Sequence, residues 1–89
     1  MWNRHDWHEF FERTNRPWER LRPLRPVHRG DAGRVEPAAG FSLAELHEAG
    51  ISLDAAEVLG LPVDAGRVNA YGPNVSALRD FLRAARHLG

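Results

Sequence analysis

Cysteine and lysine are absent from this 89-residue chain, and methionine and tyrosine occur once each. Without cysteine there is neither a disulfide framework nor a thiolate zinc site, which favours a reducing compartment. No apolar run approaches the roughly 20 residues that a membrane span requires. The opening MWNRHDWHEFF has no apolar stretch after its charges, so it does not read as a signal peptide. The expectation is a cytoplasmic, soluble protein. At this length it forms one small unit whose stability rests on a few well-made contacts.

What is present is unevenly spread. All twelve basic residues are arginine and they balance twelve acids. Residues 1–34 hold eight arginines against five acids, whereas residues 35–89 hold four against seven. Such a split points to a basic arm with an anionic partner. The preference for arginine over lysine carries no weight by itself, since a GC-rich genome produces it too.

Along the chain, HDWHEFFERTN (5–15) is expected to form a short amphipathic helix, with Trp7, Phe10 and Phe11 on one side and Pro17 ending it. Residues 16–39 contain Pro17, Pro23, Pro26 and Pro37 together with Gly30 and Gly33. They are read as an extended arginine-proline arm that needs a surface to lie on or is disordered. From residue 40 the pattern changes. Ser42 and Glu45 have capping-box spacing, and Phe41 and Leu46 have staple spacing, so a helix over about 43–49 is expected, stopped by Gly50. Ser52 caps a second helix whose Leu53, Ala56 and Leu59 share a face before Gly60. A third helix starts near Pro73, with Val75, Leu78, Leu82 and Ala85 as its apolar stripe. The intervening stretch LPVDAGRVNAYG is long for a helix–helix connection and so a candidate for function. Two helices of seven or eight residues are marginal alone; they are expected to persist as a packed pair under the third. The fold class predicted is all-α: a small helix-turn-helix-like domain of about three short helices over residues 40–89, with residues 1–39 forming a short aromatic helix and the extended arm.

Catalytic chemistry is sparse. His5, His8, His28, His47 and His87 have no spacing that completes a metal site. Ser42 and Ser52 are explained as caps, and no phosphate-cradling glycine loop is present. Neither an enzyme nor a cofactor is expected. The strongest signal is the arm, where Arg13, Arg16, Arg20, Arg22, Arg25, Arg29 and Arg34 recur every two to five residues around Trp18. Guanidinium groups pair with phosphates in bidentate fashion and stack on bases. Extended arginine-rich segments that order on binding are common in RNA recognition. A proline-rich linker with solvated charges, or a peptide for a protein groove, fits the same spacing.

The stretch GFSLAELHEAGISLDAAEVLGLPVD (40–64) closely resembles the signature of the e-type large-subunit ribosomal protein thirteen family of archaea and eukaryotes, which is unrelated to the bacterial protein of that number. Asn69 and NVSALRDFL (74–82) continue the likeness, LRPVHR (24–29) matches fairly, and the aromatic start only faintly. The resemblance implies a non-catalytic structural protein on the RNA of the large subunit, with neighbouring large-subunit proteins as further partners. No membrane or small-molecule substrate is implied. With the arm read from its spacing and the loop after Asp64 from the resemblance, the RNA-contacting set expected is Arg13, Arg16, Trp18, Arg20, Arg22, Arg25, His28, Arg29, Arg34, Arg67 and Asn69. The departures are that the family is strongly basic whereas this chain is neutral, and that only Arg67 remains of the usual basic cluster after Val63-Asp64. The alternative reading is a divergent relative that left the ribosome and serves as a protein–protein interaction module.

Overall fold

The computed structural model describes residue 2, residues 4–13, residue 19 and residues 21–88. Within them the chain forms α1 (Arg4–Arg13), strands β1 (Val27–Arg29) and β2 (Val35–Pro37), α2 (Leu43–Ala49), α3 (Leu53–Val58) and α4 (Gly72–Leu88). The strands pair antiparallel in the register Val27↔Pro37, His28↔Glu36 and Arg29↔Val35. This corrects the all-α expectation: four helices and a two-stranded sheet are present among the described residues. The prolines that argued against regular structure frame the sheet instead. Pro37 lies at the end of β2 and Pro26 just before β1, where the Pro26 carbonyl accepts from the Ala38 amide at 2.9 Å. Between the strands, a 3-10 turn over Asp31–Gly33 reverses the chain, with Ala32 and Gly33 both at positive φ. Proline tolerance at strand ends and edges is what reading by composition had missed.

The two short helices form as their caps dictate. Ser42 accepts from the Glu45 amide at 3.1 Å while a Glu45 carboxylate oxygen accepts from the Ser42 amide at 2.9 Å, completing the capping box. Ser52 accepts from the Ala55 amide at 3.1 Å. Gly50 and Gly60 are both left-handed, at φ 82° and 73°. In each case the following amide bonds back five residues, Ile51 to Leu46 and Leu61 to Ala56. Each helix is thus closed the same way, which turns the chain sharply enough for Ile51 and Leu61 to be buried.

The core gathers Phe41, Leu46, Ala56, Leu78, Leu82 and Ala85 with Trp7 and Phe10 of α1. α2 lies on α4 and α3, and α1 lies on α3. The aromatic helix therefore packs on the chain's own helical body. Trp7 and Phe10 meet edge to face, their centroids 5.7 Å apart. The segment after α3 is pinned by a parallel bridge between Phe41 and Val63. Phe41 N–H donates to Pro62 O at 2.8 Å, and Asp64 N–H donates to Phe41 O at 2.9 Å. Gly40 allows this approach, since a Cβ there would sit 2.5 Å from the Val63 carbonyl carbon. Backbone cannot yield as a side-chain tip would, so this glycine is dictated by contact.

Candidate nucleic-acid interface

The hairpin and the segment leading into it present the basic surface. Arg22, Arg25, Arg29 and Arg34 are all exposed. None of the four forms an ion pair within the described residues. A guanidinium left hydrated and unpaired is available to an external anion, and four of them lie between residues 22 and 34. His28 is half-buried, with Nε2 3.9 Å from the Glu36 carboxylate across the strand pair.

Behind the hairpin stands a carboxylate that sequence reading treated only as a cap. Glu45 is fully buried. Its Oε1 accepts from the Ser42 amide and from Arg67 Nη2 at 2.5 Å. Its Oε2 accepts from Arg67 Nη1 at 3.0 Å, the Tyr71 amide at 2.8 Å and Asn74 Nδ2 at 2.9 Å. Five donors from four residues thus converge on one carboxylate. Arg67 also donates to the carbonyls of Gly40 and Asn69, at 3.0 and 3.3 Å. Asn69 O further accepts from Ser42 Oγ at 2.8 Å. The long connection after α3 is therefore wrapped around the N-terminus of α2 by a fork-to-fork ion pair.

Asn74, at the start of α4, joins this centre to the hairpin. Its amide group pairs with the backbone of Val27 in both directions, Val27 N–H to Oδ1 at 3.0 Å and Nδ2 to Val27 O at 2.6 Å. The same Nδ2 reaches Glu45, so β1, α2 and α4 meet at one side-chain amide. The inner strand of the hairpin is thereby fixed at a set height above the helical body.

Burial alone would raise the Glu45 pKa. The Arg67 guanidinium opposes it, with the Ser42 amide, the Asn74 side chain and the Tyr71 amide, and together they hold the carboxyl below its ordinary 4.5. Because the folded-state value is depressed, the ionised carboxylate stabilises the fold above the unfolded value and this contribution disappears as pH falls through the folded value. We predict that the stability difference between wild type and Glu45→Gln is constant from pH 7 to 5. It should narrow as pH is lowered below the ordinary value of 4.5, as read from urea midpoints at each pH.

The predicted contact residues divide into groups. His28, Arg29, Arg67 and Asn69 come together around a cleft of about 260 Å³ that Ala70 and Tyr71 complete. Arg29 and Asn69 are exposed at its rim, whereas the Arg67 side chain is only 15% exposed and engaged with Glu45. Arg22, Arg25 and Arg34 lie outside this cleft. Arg13 closes α1. Arg16, Trp18 and Arg20 fall outside the described residues. In the loop after Asp64, Ala65, Gly66 and Val68 are exposed, and Asp64 Oδ1 accepts from the Gly66 amide at 3.1 Å. Sequence reasoning missed Glu45 and Asn74 as a structural pair. The sequence held no pointer to it, since Asp64, three residues from Arg67, is the nearer acid along the chain.

Comparison with known proteins covers both the helical body and the hairpin. The family model for ribosomal protein L13e matches residues 9–81. The large ribosomal subunit protein eL13 of Aeropyrum pernix is 41% identical over 70 residues, covering 79% of this chain and 82% of that protein. The matched region takes in the Gly40–Asp64 stretch, the Glu45, Arg67 and Asn74 centre and the basic hairpin, and on that footing the chain belongs to the ribosomal protein L13e family.

Proposed function

We propose that the protein is a structural component of the large ribosomal subunit that binds ribosomal RNA through the hairpin and the segment before it. The observation that carries this reading is the set of exposed, unpaired arginines, Arg22, Arg25, Arg29 and Arg34, on and beside a strand clamped to the core by Asn74. Arg29, His28 and Asn69 at the adjoining cleft extend the same surface, and the proposal keeps Arg13, Arg16, Trp18 and Arg20 as further contacts on the strength of the sequence alone. Arg67 serves the surface from behind, by holding the loop and α2 together through Glu45.

A clamped hairpin suits this role. Phosphate contacts made from a fixed strand require less ordering on binding than contacts from a free arm. With its twelve arginines balanced by twelve acids, the chain depends on placement of its arginines more than on net charge. Replacing Arg22, Arg25 and Arg29 with alanine is expected to abolish association with ribosomal RNA in a gel-shift titration, with the thermal unfolding midpoint unchanged. Undiminished binding by a folded triple variant removes the hairpin from the interface. Recovery of a stoichiometric, ribonuclease-insensitive protein partner instead would favour the interaction-module reading.

A further inference from the structure

Residues 35–89 carry four arginines, and one of them, Arg67, is committed to Glu45. The other three, Arg79, Arg83 and Arg86, are spaced i, i+4 and i+7 on α4 and so share a face. With Trp2, Trp7 and Leu82 they line a cleft of about 200 Å³ above Ala49 and Gly50, away from the hairpin's own cleft. The Arg86 guanidinium lies 5.4 Å over the Trp2 ring. Trp2 in turn is held edge-on by Trp7 and Phe10, at 5.0 and 5.1 Å. Arg79 is steadied by the Glu48 carbonyl at 3.0 Å. Arg83 faces Asp80 at 3.6 Å, both side chains largely in solvent, an ion pair weak enough to exchange for another anion. Nearby on α3, Asp54 is already paired with Arg4.

We infer that this face of α4, together with Trp2, is a second RNA contact that takes the phosphates and one unstacked base of a single-stranded segment. The inference rests on the RNA-binding reading above and extends it to the half of the chain whose net charge is negative. Three guanidiniums spread over about 10 Å of helix can follow consecutive phosphates. A guanidinium held over an indole, with Leu82 beside it, offers its outer plane to an unstacked base while its edge reaches a phosphate. An acidic protein segment would use the three charges but has no need of the stacking plane, so RNA is the occupant favoured.

The test is a salt titration of the intact chain binding a fluorescent oligo(U) probe, comparing wild type, Arg79→Gln/Arg83→Gln/Arg86→Gln, Arg83→Gln alone, and the Arg22/Arg25/Arg29 alanine variant. Circular dichroism confirms folding of each. Each phosphate contact on a single strand contributes about 0.7 to the slope of log K against log salt. The triple glutamine variant is therefore expected to flatten the slope by about 2, and Arg83→Gln, which leaves the packed groups untouched, by about 0.7. Slopes unchanged in both glutamine variants, with the alanine variant flattened, would overturn the α4 contact and leave the hairpin reading standing. A wild-type chain that binds ribosomal RNA but not oligo(U) would also overturn it. Binding of poly-glutamate in place of oligo(U), lost in the triple variant, would make the face an acidic-protein surface and overturn the inference equally.

Discussion

Replacing Arg67 with alanine is expected to destabilise the fold by about 3–5 kcal/mol, the largest effect of any single change considered. Removing the guanidinium leaves the fully buried Glu45 carboxylate without its counter-charge. It also leaves the Gly40 and Asn69 carbonyls without one donor each. The total stability of a chain this size is only about 0.05–0.15 kcal/mol per residue, so the loss is a large fraction of the whole and the urea midpoint should fall sharply. The measurement is a urea titration followed by tryptophan fluorescence. A double cycle with Glu45→Gln sharpens it, because removing the buried charge as well should restore part of the loss. A loss below about 1 kcal/mol, the range of an exposed pair, would show that Glu45 and Arg67 are not the buried unit described.

Asn74→Ala is expected to cost on the order of 2–4 kcal/mol and to loosen the hairpin selectively. Three groups lose a partner together: Val27 N–H, Val27 O and Glu45 Oε2. Each unsatisfied buried group costs about 1–3 kcal/mol, less where water can enter, as it can beside half-buried Val27. The expected signature in hydrogen exchange is fast exchange of the Val27 amide while the helix amides, such as Leu46, keep their protection relative to global stability. If RNA binding depends on a clamped strand, affinity should fall as well, although no arginine has been altered. Equal loss of protection at Val27 and Leu46 would mean that the hairpin and the helical body open as one unit.

These two residues also mark where sequence reading stopped. The capped helices were legible because caps are local: Ser42, Glu45 and Gly50 announce a helix within eight residues, and the structure forms it with the predicted bonds. α4 was legible because Val75, Leu78, Leu82 and Ala85 repeat at helical spacing, and all four are buried. The hairpin was not, because three-residue strands carry too little alternation to stand above the prolines around them. Its stability comes from Asn74, forty-seven residues away in the chain, and no local signal encodes such a partner. Glu45 shows a second limit. Its capping role was visible, but a carboxylate whose two oxygens accept from five donors cannot be inferred from a spacing of three.

The role of Arg67 follows the same logic. Its family likeness suggested an RNA contact, and its charge suggested the same. The structure places that charge on Glu45, leaving the neutral loop of Ala65, Gly66 and Val68 as what the segment exposes. Net charge is therefore a poor guide to this chain. Part of its acid content is already paired with arginine, inside the fold in Glu45 with Arg67 and on the surface in Asp54 with Arg4. The hairpin arginines are exposed and form no ion pair among the described residues.

The central claim is that this chain acts on the large ribosomal subunit, and sedimentation of the native protein from its own lysate tests it most directly. In a sucrose gradient at low salt and again after a moderate salt wash, the account predicts co-migration with the large subunit in both, sustained by placed arginines in spite of the neutral net charge. A protein that stays at the top of the gradient in both conditions would contradict it.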